Sequence, residues 1–364
     1  MLDAVLKKEE RLAIALRSLY KKYGYLPYKM SKFEPYDLYA RNKDFLRGDG
    51  VITFNDTDGK LLALKPDVTL SIIKNLGDND GKQKVSYSES VYRVAESTKQ
   101  FKELTQVGVE CMGELSVYDL YESVRLASES LSLISPSFVL DISHLGILSG
   151  IFEQINLGRE FENEAIKLLS QKNLHEMQAL VARFGVEQTL ADKLMAIVRA
   201  YGDMQTVLAT LRPLCDTPVL TSAYQELFDL YTLLKNTPFI DKIRVDFSVV
   251  NNMKYYNGLV FKGFVDGVCE GVLSGGRYDN LVARMGKKSG AIGFAVYLDL
   301  LEDFFACQDE YDVDTLIVYD EQTPACKIAQ AVQENVEKGS VRAQRNVGGV
   351  RYKNLVDLKG EKQC

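Results

Sequence analysis

The chain has 364 residues, 46% of them hydrophobic and 26% charged, which is typical of a globular protein with two or three domains. Its net charge of -6 at pH 7 argues against a dedicated nucleic-acid surface, because phosphate binding needs clustered lysine and arginine. With two histidines and six scattered cysteines, none in a C-x-x-C pair, we expect no zinc site and reduced thiols. The first residues lack a signal-peptide pattern and no apolar run reaches ~20 residues, so we expect a cytoplasmic protein with no membrane partner.

The first part of the chain, residues 1–157, is predicted to be a mixed core of helices and strands. An amphipathic helix with apolar residues at three- and four-residue steps opens it. Residues 84–94 and 101–112 are predicted to be two neighbouring strands. Ser116, with Asp119 three residues later, has the pattern of a capping box and predicts the start of a further helix.

The pattern changes along the rest of the chain. Over residues 158–238 glycine is sparse and helical periodicity dominates, which predicts a helical insertion. The strand-rich pattern resumes over residues 239–308, the predicted second part of the core. Residues 309–364 predict a small C-terminal α/β unit that is too short for a large core of its own. Antiparallel hairpins with helices beside them favour an α+β fold over a doubly wound sheet.

One predicted central strand carries a polar face. Gln106, Gly108 and Glu110 lie on the same side of it, because side chains alternate across a strand. A buried carboxylate without a partner is costly, but it suits the ammonium group of a ligand. The three residues therefore indicate the wall of a polar pocket, although a structural ion pair for Glu110 is an equally good interpretation.

Two charged residues lie upstream of that strand. Asp67 follows Pro66, and both are typical of the first turn of a helix. Arg93 lies on the neighbouring predicted strand among apolar residues that would partly enclose it. A guanidinium can clamp a carboxylate or phosphate through two parallel hydrogen bonds. A salt bridge across the sheet is the alternative for Arg93.

The stretch from about residue 243 to residue 301 contains the remaining candidates. Tyr255 and Tyr256 are predicted to be neighbours on a strand, so that one could face a pocket while the other packs, and ordinary packing of both is the alternative. Gly275 and Gly276 could bring backbone N–H groups close to a ligand, or simply form a tight turn. His144, at a predicted helix start, is interpreted as a structural or capping residue.

Taken together, these segments resemble the catalytic domain of histidyl-tRNA synthetase, a class II aminoacyl-tRNA synthetase. Residues 64–69, L-K-P-D-V-T, resemble that family's L-R-P-E-x-T, and residues 103–110 resemble its F-x-Q-x-G-x-E strand. Residues 255–258, Y-Y-N-G, resemble the histidine-recognition Y-Y-T-G, and residues 274–279 resemble G-G-G-R-Y-D. The resemblance spans roughly residues 5–305 and implies a class II synthetase-like antiparallel sheet flanked by helices.

Two departures separate the chain from an active synthetase. Asn251 replaces the arginine of the R-G-L-D sequence that precedes the tyrosine pair. The third class II motif ends in G-L-E-R, and here Tyr297 and Leu300 stand at its glycine and arginine positions. Preorganised cations stabilise the charge that builds on phosphate during amino-acid activation, so the loss of both arginines should lower activity by orders of magnitude. The chain is therefore not expected to be an enzyme, and no cofactor is expected.

A synthetase-like chain without the ATP chemistry resembles the regulatory subunits of ATP phosphoribosyltransferase. The resemblance implies a non-catalytic subunit for the first step of histidine biosynthesis, which activates a short-form catalytic subunit and mediates feedback inhibition by L-histidine. It also implies a homodimer within a hetero-oligomer. The residues that it assigns to histidine binding are Asp67, Thr69, Arg93, Gln106, Glu110, Tyr255, Tyr256, Gly275 and Gly276. An active histidyl-tRNA synthetase, or a synthetase-like module that no longer binds histidine, is the alternative.

The resemblance further implies a role for each group. Glu110 and Gln106 would bind the ammonium group of histidine, and Arg93 would balance its carboxylate. Asp67 and Thr69 would hold the amino-acid end. The tyrosine pair would contact the imidazole or shape its pocket, and the two glycines would permit close backbone approach.

Overall fold

The structure is a computed structural model that describes residues 6–43, 46, 50–75, 81–94, 100–250, 255–306 and 311–360. The chain divides into two compact units, Met1–Leu301 and Glu302–Cys364. None of the helices within the described ranges combines the length and apolarity that a bilayer crossing requires. All nine predicted site residues belong to the first unit.

The first part of the chain alternates between helices with one apolar stripe and short strands. Its elements are α1 (Lys8–Lys22), β1 (Leu26–Pro27), β2 (Phe33–Pro35), α2 (Tyr36–Ala40), β3 (Thr53–Asn55), β4 (Leu61–Leu64), α3 (Val68–Asn75), β5 (Gln83–Val94), β6 (Phe101–Gly113), α4 (Val117–Ile134), β7 (Phe138–His144) and α5 (Leu145–Ile155). The stripe of α1 buries Leu12, Leu16 and Tyr20 at four-residue steps, so this helix lies with one face on the core.

The middle of the chain is mainly helical, and strands return after it. Its elements are α6 (Arg159–Ser170), α7 (Leu174–Arg183), α8 (Gln188–Arg199), β8 (Tyr201–Asp203), α9 (Met204–Leu211), α10 (Pro218–Leu234), β9 (Ile243–Asp246), β10 (Leu259–Val265), β11 (Leu273–Arg277), α11 (Asp279–Arg284), β12 (Gly290–Tyr297) and a 3-10 helix (Leu298–Leu301). The helices α6 to α10 fall within the predicted insertion and belong to the same compact unit as the core. The limits of the insertion as a domain stay a prediction.

Nine of the described strands form one sheet in the order β1-β5-β6-β12-β11-β10-β7-β9-β8. All pairs from β5 to β7 are antiparallel, whereas β1 with β5 and β7 with β9 are parallel. A parallel pair needs a long crossover connection, and the segments β1 to β5 and β7 to β9 both contain helices. The predicted α+β fold with an antiparallel sheet is thus confirmed, and the sheet is mixed towards its two edges.

Different helices cover the two faces of this sheet. Phe294 of β12 contacts Tyr20 of α1, with ring centroids 5.9 Å apart, so α1 lies on the face to which Phe294 points. Gly293 comes directly before Phe294 and pairs with Glu110 of β6, so Glu110 points to the opposite face. There it meets Thr69 of α3. The polar face of the central strand is therefore the face that α3 covers.

Two helix starts confirm their predicted caps. Asp119 accepts hydrogen bonds from the main-chain N–H and the hydroxyl of Ser116, at 2.7 and 2.8 Å, where α4 begins. His144 precedes α5, and its Nδ1 accepts a hydrogen bond of 3.1 Å from the N–H of Gly146. Both side chains satisfy N–H groups that a helix start leaves without a partner inside the helix.

The second unit contains α12 (Glu302–Ala306), β13 (Val313–Val318), α13 (Ala325–Val336), β14 (Val341–Gln344) and β15 (Tyr352–Asp357). Its three strands are parallel in the order β14-β13-β15, and Ile317, Ala331 and Leu358 form its core. Cys326 is disulfide-bonded, whereas Cys111 and two other described cysteines are free thiols. The expectation of reduced thiols throughout is wrong for Cys326, because pairing depends on spatial proximity, which sequence spacing does not give.

Candidate functional site

A cavity lies above a row of small residues on the sheet face that α3 covers. The strand registers place Tyr87, Gly108, Ala295 and Ser274 side by side across β5, β6, β12 and β11. A Cβ atom on Gly108 would lie 2.3 Å from the carbonyl oxygen of Phe294 and 2.5 Å from the Tyr87 hydroxyl. Because the middle of this row carries little side-chain volume, the sheet has a depression there.

The cavity offers about 60 Å³ to the centres of water molecules, which is room for roughly four to six waters. Its lining residues are Asp67, Val68, Thr69, Tyr87, Arg93, Gln106, Glu110, Tyr255, Tyr256, Ser274, Tyr278, Gly293, Phe294, Ala295 and Tyr297. Seven of the nine predicted site residues are in this set. They come from segments far apart in sequence, and the sheet and α3 bring them together.

Glu110 lies at the bottom of the cavity and is 2% exposed. The Thr69 hydroxyl donates a hydrogen bond of 2.9 Å to its Oε1, and the Tyr278 hydroxyl donates one of 2.5 Å to its Oε2. A Cβ atom on Gly293 would lie 1.6 Å from that same Oε2. Only glycine at position 293 leaves room on β12 for the carboxyl group of Glu110 in this position.

Burial raises the pKa of Glu110 to about 8. The hydrogen bonds from Tyr278 and Thr69 act in the opposite direction, and the nearby charge of Asp67 raises the pKa further. At neutral pH the carboxyl group of the ligand-free cavity is mostly protonated. A cation placed beside it would favour the ionised form.

The segment before α3 is fixed to β5 by three contacts. The carbonyl oxygen of Lys65 accepts a hydrogen bond of 2.9 Å from the N–H of Tyr92. The fully buried ammonium group of Lys65 donates one of 2.7 Å to Glu89. Nε of Arg93 donates to the carbonyl oxygen of Pro66 at 2.7 Å. These contacts fix the position from which α3 starts.

Pro66 and Asp67 lie directly before α3, which starts at Val68, and not in its first turn as predicted. Oδ1 of Asp67 accepts a hydrogen bond of 2.9 Å from the N–H of Leu70, and its Oδ2 lies 3.7 Å from Nη2 of Arg93. Arg93 therefore lines the cavity and also takes part in an ion pair, with the segment before α3 and not across the sheet. Its contact with a ligand stays a prediction.

Tyr255 and Tyr256 lie in the loop before β10, and both line the cavity. Their ring centroids are 4.6 Å apart, and the Tyr255 ring is 5.7 Å from that of Tyr278. The prediction that the pair lies on a strand and points to opposite faces is wrong. The two-residue alternation holds only within a strand, and the strand starts at Leu259.

Gly275 and Gly276 lie inside β11, beside the cavity and outside its lining set. A Cβ atom on Gly275 would lie 2.4 Å from the carbonyl oxygen of Gly293, and one on Gly276 would lie 2.9 Å from the Tyr256 ring. The alternative of a tight turn is wrong for these residues. Because neither residue has a side chain, β11 can pack closely against β12, and Tyr256 can pack closely against β11.

A family model described as histidyl-tRNA synthetase matches residues 1–301. A regulatory subunit of ATP phosphoribosyltransferase from Oceanobacillus iheyensis is 28% identical to the chain, with 92% of this chain and 84% of that protein covered. The protein of the same name from Desulfitobacterium hafniense Y51 is 30% identical, with 74% of this chain and 71% of that protein covered. The chain belongs to the family of ATP phosphoribosyltransferase regulatory subunits. The resemblance seen in the motifs is thus confirmed.

Solved structures establish the class II synthetase-like fold of this regulatory-subunit family member. An ATP phosphoribosyltransferase regulatory subunit/histidyl-tRNA synthetase from Bacillus halodurans superposes with a TM-score of 0.75 at 21% identity, covering 97% of this chain and 94% of that one. An ATP phosphoribosyl transferase (HisG:HisZ) complex from Thermotoga maritima superposes with a TM-score of 0.63 at 19% identity, covering 79% of this chain and 96% of that one. The predicted fold class is confirmed.

Several cavity residues of this family member were not predicted from the sequence. Tyr87, Gly293 and Tyr297 follow from the pairing of β5 and β12 with the polar face of β6, so strand alternation carried a signal for them. Tyr278 lies beyond the end of β11, where no periodicity applies. It nevertheless donates one of the two hydrogen bonds that the Glu110 carboxyl group accepts from side chains.

Arg93 is the only arginine or lysine among the described residues that line the cavity. Leu300, at the position of the synthetase arginine, is half-buried in the 3-10 helix. Asn251 lies outside the described residues. In the parts of the chain that the structure describes, no group of three or more His, Cys, Asp and Glu side chains could hold a metal ion.

A polar network joins the cavity region to the helical insertion. Arg277, at the end of β11, donates hydrogen bonds of 3.0 Å to Glu226 of α10 and of 2.8 Å to Asp279. Nε2 of His144 lies 2.9 Å from the other Glu226 oxygen, and since its Nδ1 accepts from the main chain, Nε2 donates. Burial opposes ionisation of Glu226, but the contacts with His144 and Arg277 outweigh it and lower its pKa. The next residue after Arg277 is the tyrosine that contacts the buried carboxyl group.

Proposed function

We propose that the chain is the histidine-binding, non-catalytic regulatory subunit of an ATP phosphoribosyltransferase. It activates a short-form catalytic subunit and mediates feedback inhibition by L-histidine at the first step of histidine biosynthesis. The assembly is a cytoplasmic hetero-oligomer in which this chain forms a homodimer. Neither a nucleic acid nor a cofactor is needed for this role.

The observation that carries the proposal is the buried carboxyl group of Glu110 at the bottom of a small polar cavity. An ammonium group supplies both the positive charge and the N–H donors that such a carboxylate needs. Gln106 lies on the same face of β6, four residues from Glu110, and also lines the cavity. In this proposal its amide oxygen accepts from the ammonium end of the ligand. A free amino acid is therefore a good match for the cavity.

The other cavity residues suit the rest of an amino acid. A guanidinium group carries five N–H donors, so Arg93 can hold Pro66 and Asp67 and still donate to a ligand carboxylate. Asp67 and Thr69 hold the amino-acid end from the start of α3. The paired rings of Tyr255 and Tyr256 provide the flat contact surface that an imidazole ring requires.

Support for the partner comes from family membership and from the Thermotoga maritima structure, which is named as a complex. Histidine can lower the activity of such an assembly only if it binds a less active state more tightly than the active one. The same coupling requires that the catalytic subunit alters the affinity of this chain for histidine.

Calorimetric titration with L-histidine tests ligand binding by the purified chain. We expect saturable binding with one histidine per chain, and Glu110→Gln should weaken it by at least about tenfold, because the ammonium group then loses its counter-charge. Glu103→Gln, an exposed residue on the same strand, is the matched control and should bind like the unmodified chain. Absence of any heat of binding would favour a synthetase-like module without histidine binding.

Reconstitution with a short-form catalytic subunit tests the regulatory role. We expect phosphoribosyl transfer to ATP only when both chains are present, and inhibition of that activity by histidine. Glu110→Gln should leave an assembly that is active and much less sensitive to histidine. Full activity of the catalytic subunit alone, unaffected by this chain, would refute the role.

An active histidyl-tRNA synthetase is the second candidate, because the matching family model carries that description. ATP–pyrophosphate exchange in the presence of histidine distinguishes the two. We expect no exchange, since Arg93 is the only cation among the described cavity residues. Robust exchange by the pure chain would favour the synthetase.

A further inference from the structure

We infer that Tyr297 sets the size limit of the ligand, so that the cavity accepts a free amino acid and excludes derivatives extended at the carboxyl group. The inference rests on the proposed binding of histidine and concerns the same cavity. It makes Tyr297, together with its partner Ser274, a determinant of specificity.

The register of β12 shows where the cavity ends. The residues of β12 on the cavity face pair with the polar face of β6 as Gly293 with Glu110, Ala295 with Gly108, and Tyr297 with Gln106. The first two carry a hydrogen atom and a methyl group, which leaves the depression open. Tyr297 is the first large side chain in this direction, so it forms the end wall.

The ring of Tyr297 leans over the depression. Its main-chain N–H donates to the carbonyl oxygen of Val272 at 2.8 Å, which makes Val272 its neighbour across the strands. Its hydroxyl, however, lies 3.2 Å from the hydroxyl of Ser274, two residues further along β11. Because Ser274 pairs with Ala295, the phenol reaches back towards the row of small residues.

This wall stands at the backbone end of the bound amino acid. Tyr297 pairs directly with Gln106, which binds the ammonium group in the proposed function, and Arg93 lines the same cavity. An ester, amide or acyl-nucleotide would extend from the carboxyl carbon into the space of the ring. The space open to water centres in this cavity is about 60 Å³, so a nucleoside would need room beyond the volume that the described lining residues enclose.

Competition between two ligands tests the inference. The probes are L-histidine and the non-hydrolysable histidyl sulfamoyl-adenosine, in which a nucleoside is attached at the carboxyl end, and the readout is the ratio of their dissociation constants by calorimetry. For the unmodified chain we expect the sulfamoyl-adenosine to bind at least about tenfold more weakly than histidine. Tyr297→Gly should shift the ratio towards the sulfamoyl-adenosine by at least about tenfold.

Tyr297→Phe is the matched control, because it keeps the ring and removes the hydroxyl group that contacts Ser274. It should retain the ratio of the unmodified chain to within about threefold. If Tyr297→Gly does not fold, Tyr297→Ser provides the same opening with a residue better suited to a strand. Equal affinity of the unmodified chain for both probes would overturn the inference while leaving histidine binding intact. No binding of either probe would instead refute the proposed function, and the inference with it.

Discussion

Glu110 combines burial with two hydroxyl donors and a neighbouring carboxylate, and these act on its charge in opposite directions. Burial has the largest effect and raises its pKa to about 8. The ligand-free cavity therefore holds a proton in the place where the proposed ligand brings an ammonium group. Histidine binding and proton release should be linked.

The first prediction concerns this linkage. Below pH 8 histidine must displace a proton from Glu110, so its affinity should rise as the pH increases from 7 towards 8. Calorimetry at pH 7 in buffers of different ionisation enthalpy should show the release of nearly one proton per histidine bound. In Glu110→Gln the released proton should disappear. An unchanged proton release in the variant would assign it to another group.

The second prediction concerns stability without ligand. The pKa of Glu110 is raised from an ordinary 4.5 to about 8 in the folded chain, so the unfolded state loses this proton first and the free energy of unfolding falls as pH rises from 4.5 to 8. Glu110→Gln removes this dependence on pH. The free energy of unfolding of the variant, relative to that of the unmodified chain, should therefore rise by about 3 kcal/mol between pH 5 and pH 8, as measured by urea unfolding. A difference between variant and unmodified chain that does not change with pH would contradict the raised pKa.

The polar face of β6 could be predicted because alternation along a regular strand fixes which side chains share a face. Glu110 and Gln106 were found in this way. Tyr278 could not be found, since its position depends on how the chain turns after β11, and its contact with Glu110 joins residues 168 positions apart. Contacts of that kind depend on tertiary packing.

At the scale of elements, the segment before α3, which contains Lys65 and Pro66, determines where this helix begins. Lys65 is fully buried and pairs with Glu89, whose side chain is 14% exposed. Removing one member of a buried pair leaves the other charge without compensation. The sequence indicated a helix start at Pro66 and Asp67, but it gave no sign that a lysine would lie inside the core.

The third prediction tests that buried pair. Lys65→Met should lower the free energy of unfolding by about 3 kcal/mol, because Glu89 loses its partner inside the protein. It should also weaken histidine binding, since Thr69 and Asp67 follow directly on this segment. Lys60→Met is the matched control: Lys60 pairs with Asp58 on the surface, where water screens both charges, so this substitution should change the free energy of unfolding far less than Lys65→Met. Equal effects of the two substitutions in urea unfolding would refute a special role for Lys65.

The tyrosine pair shows where reasoning from elements fails. Its sequence has the aromatic character of a strand, and β10 does follow it closely, starting at Leu259. The loop nevertheless turns Tyr255 and Tyr256 towards the same cavity. The strand itself was correctly predicted, but it starts a few residues later than expected. This small difference was enough to make the predicted directions of the two tyrosine side chains wrong.

At the scale of the whole molecule, the chain consists of two compact units with separate cores. The described cavity residues all belong to Met1–Leu301. The large sheet could be predicted as antiparallel from its hairpins, whereas its parallel pairs, β1 with β5 and β7 with β9, depend on long connections that local patterns do not describe.

The fourth prediction follows from this division. Removal of residues 302–364 should leave a unit that unfolds cooperatively and binds histidine within about threefold of the full chain, because no described cavity residue is lost. Circular dichroism and calorimetry provide the two measurements. Loss of histidine binding by a cooperatively folded fragment would show that the second unit contributes to the site.

Gly293 has a consequence for related chains. A Cβ atom at this position would lie 1.6 Å from Oε2 of Glu110 and 2.4 Å from the carbonyl oxygen of Val109. A homologue that replaces the glycine must therefore shift the backbone of β6 as well as move or lose the acid. A side chain at position 293 should mark homologues in which the bottom of this cavity is rebuilt.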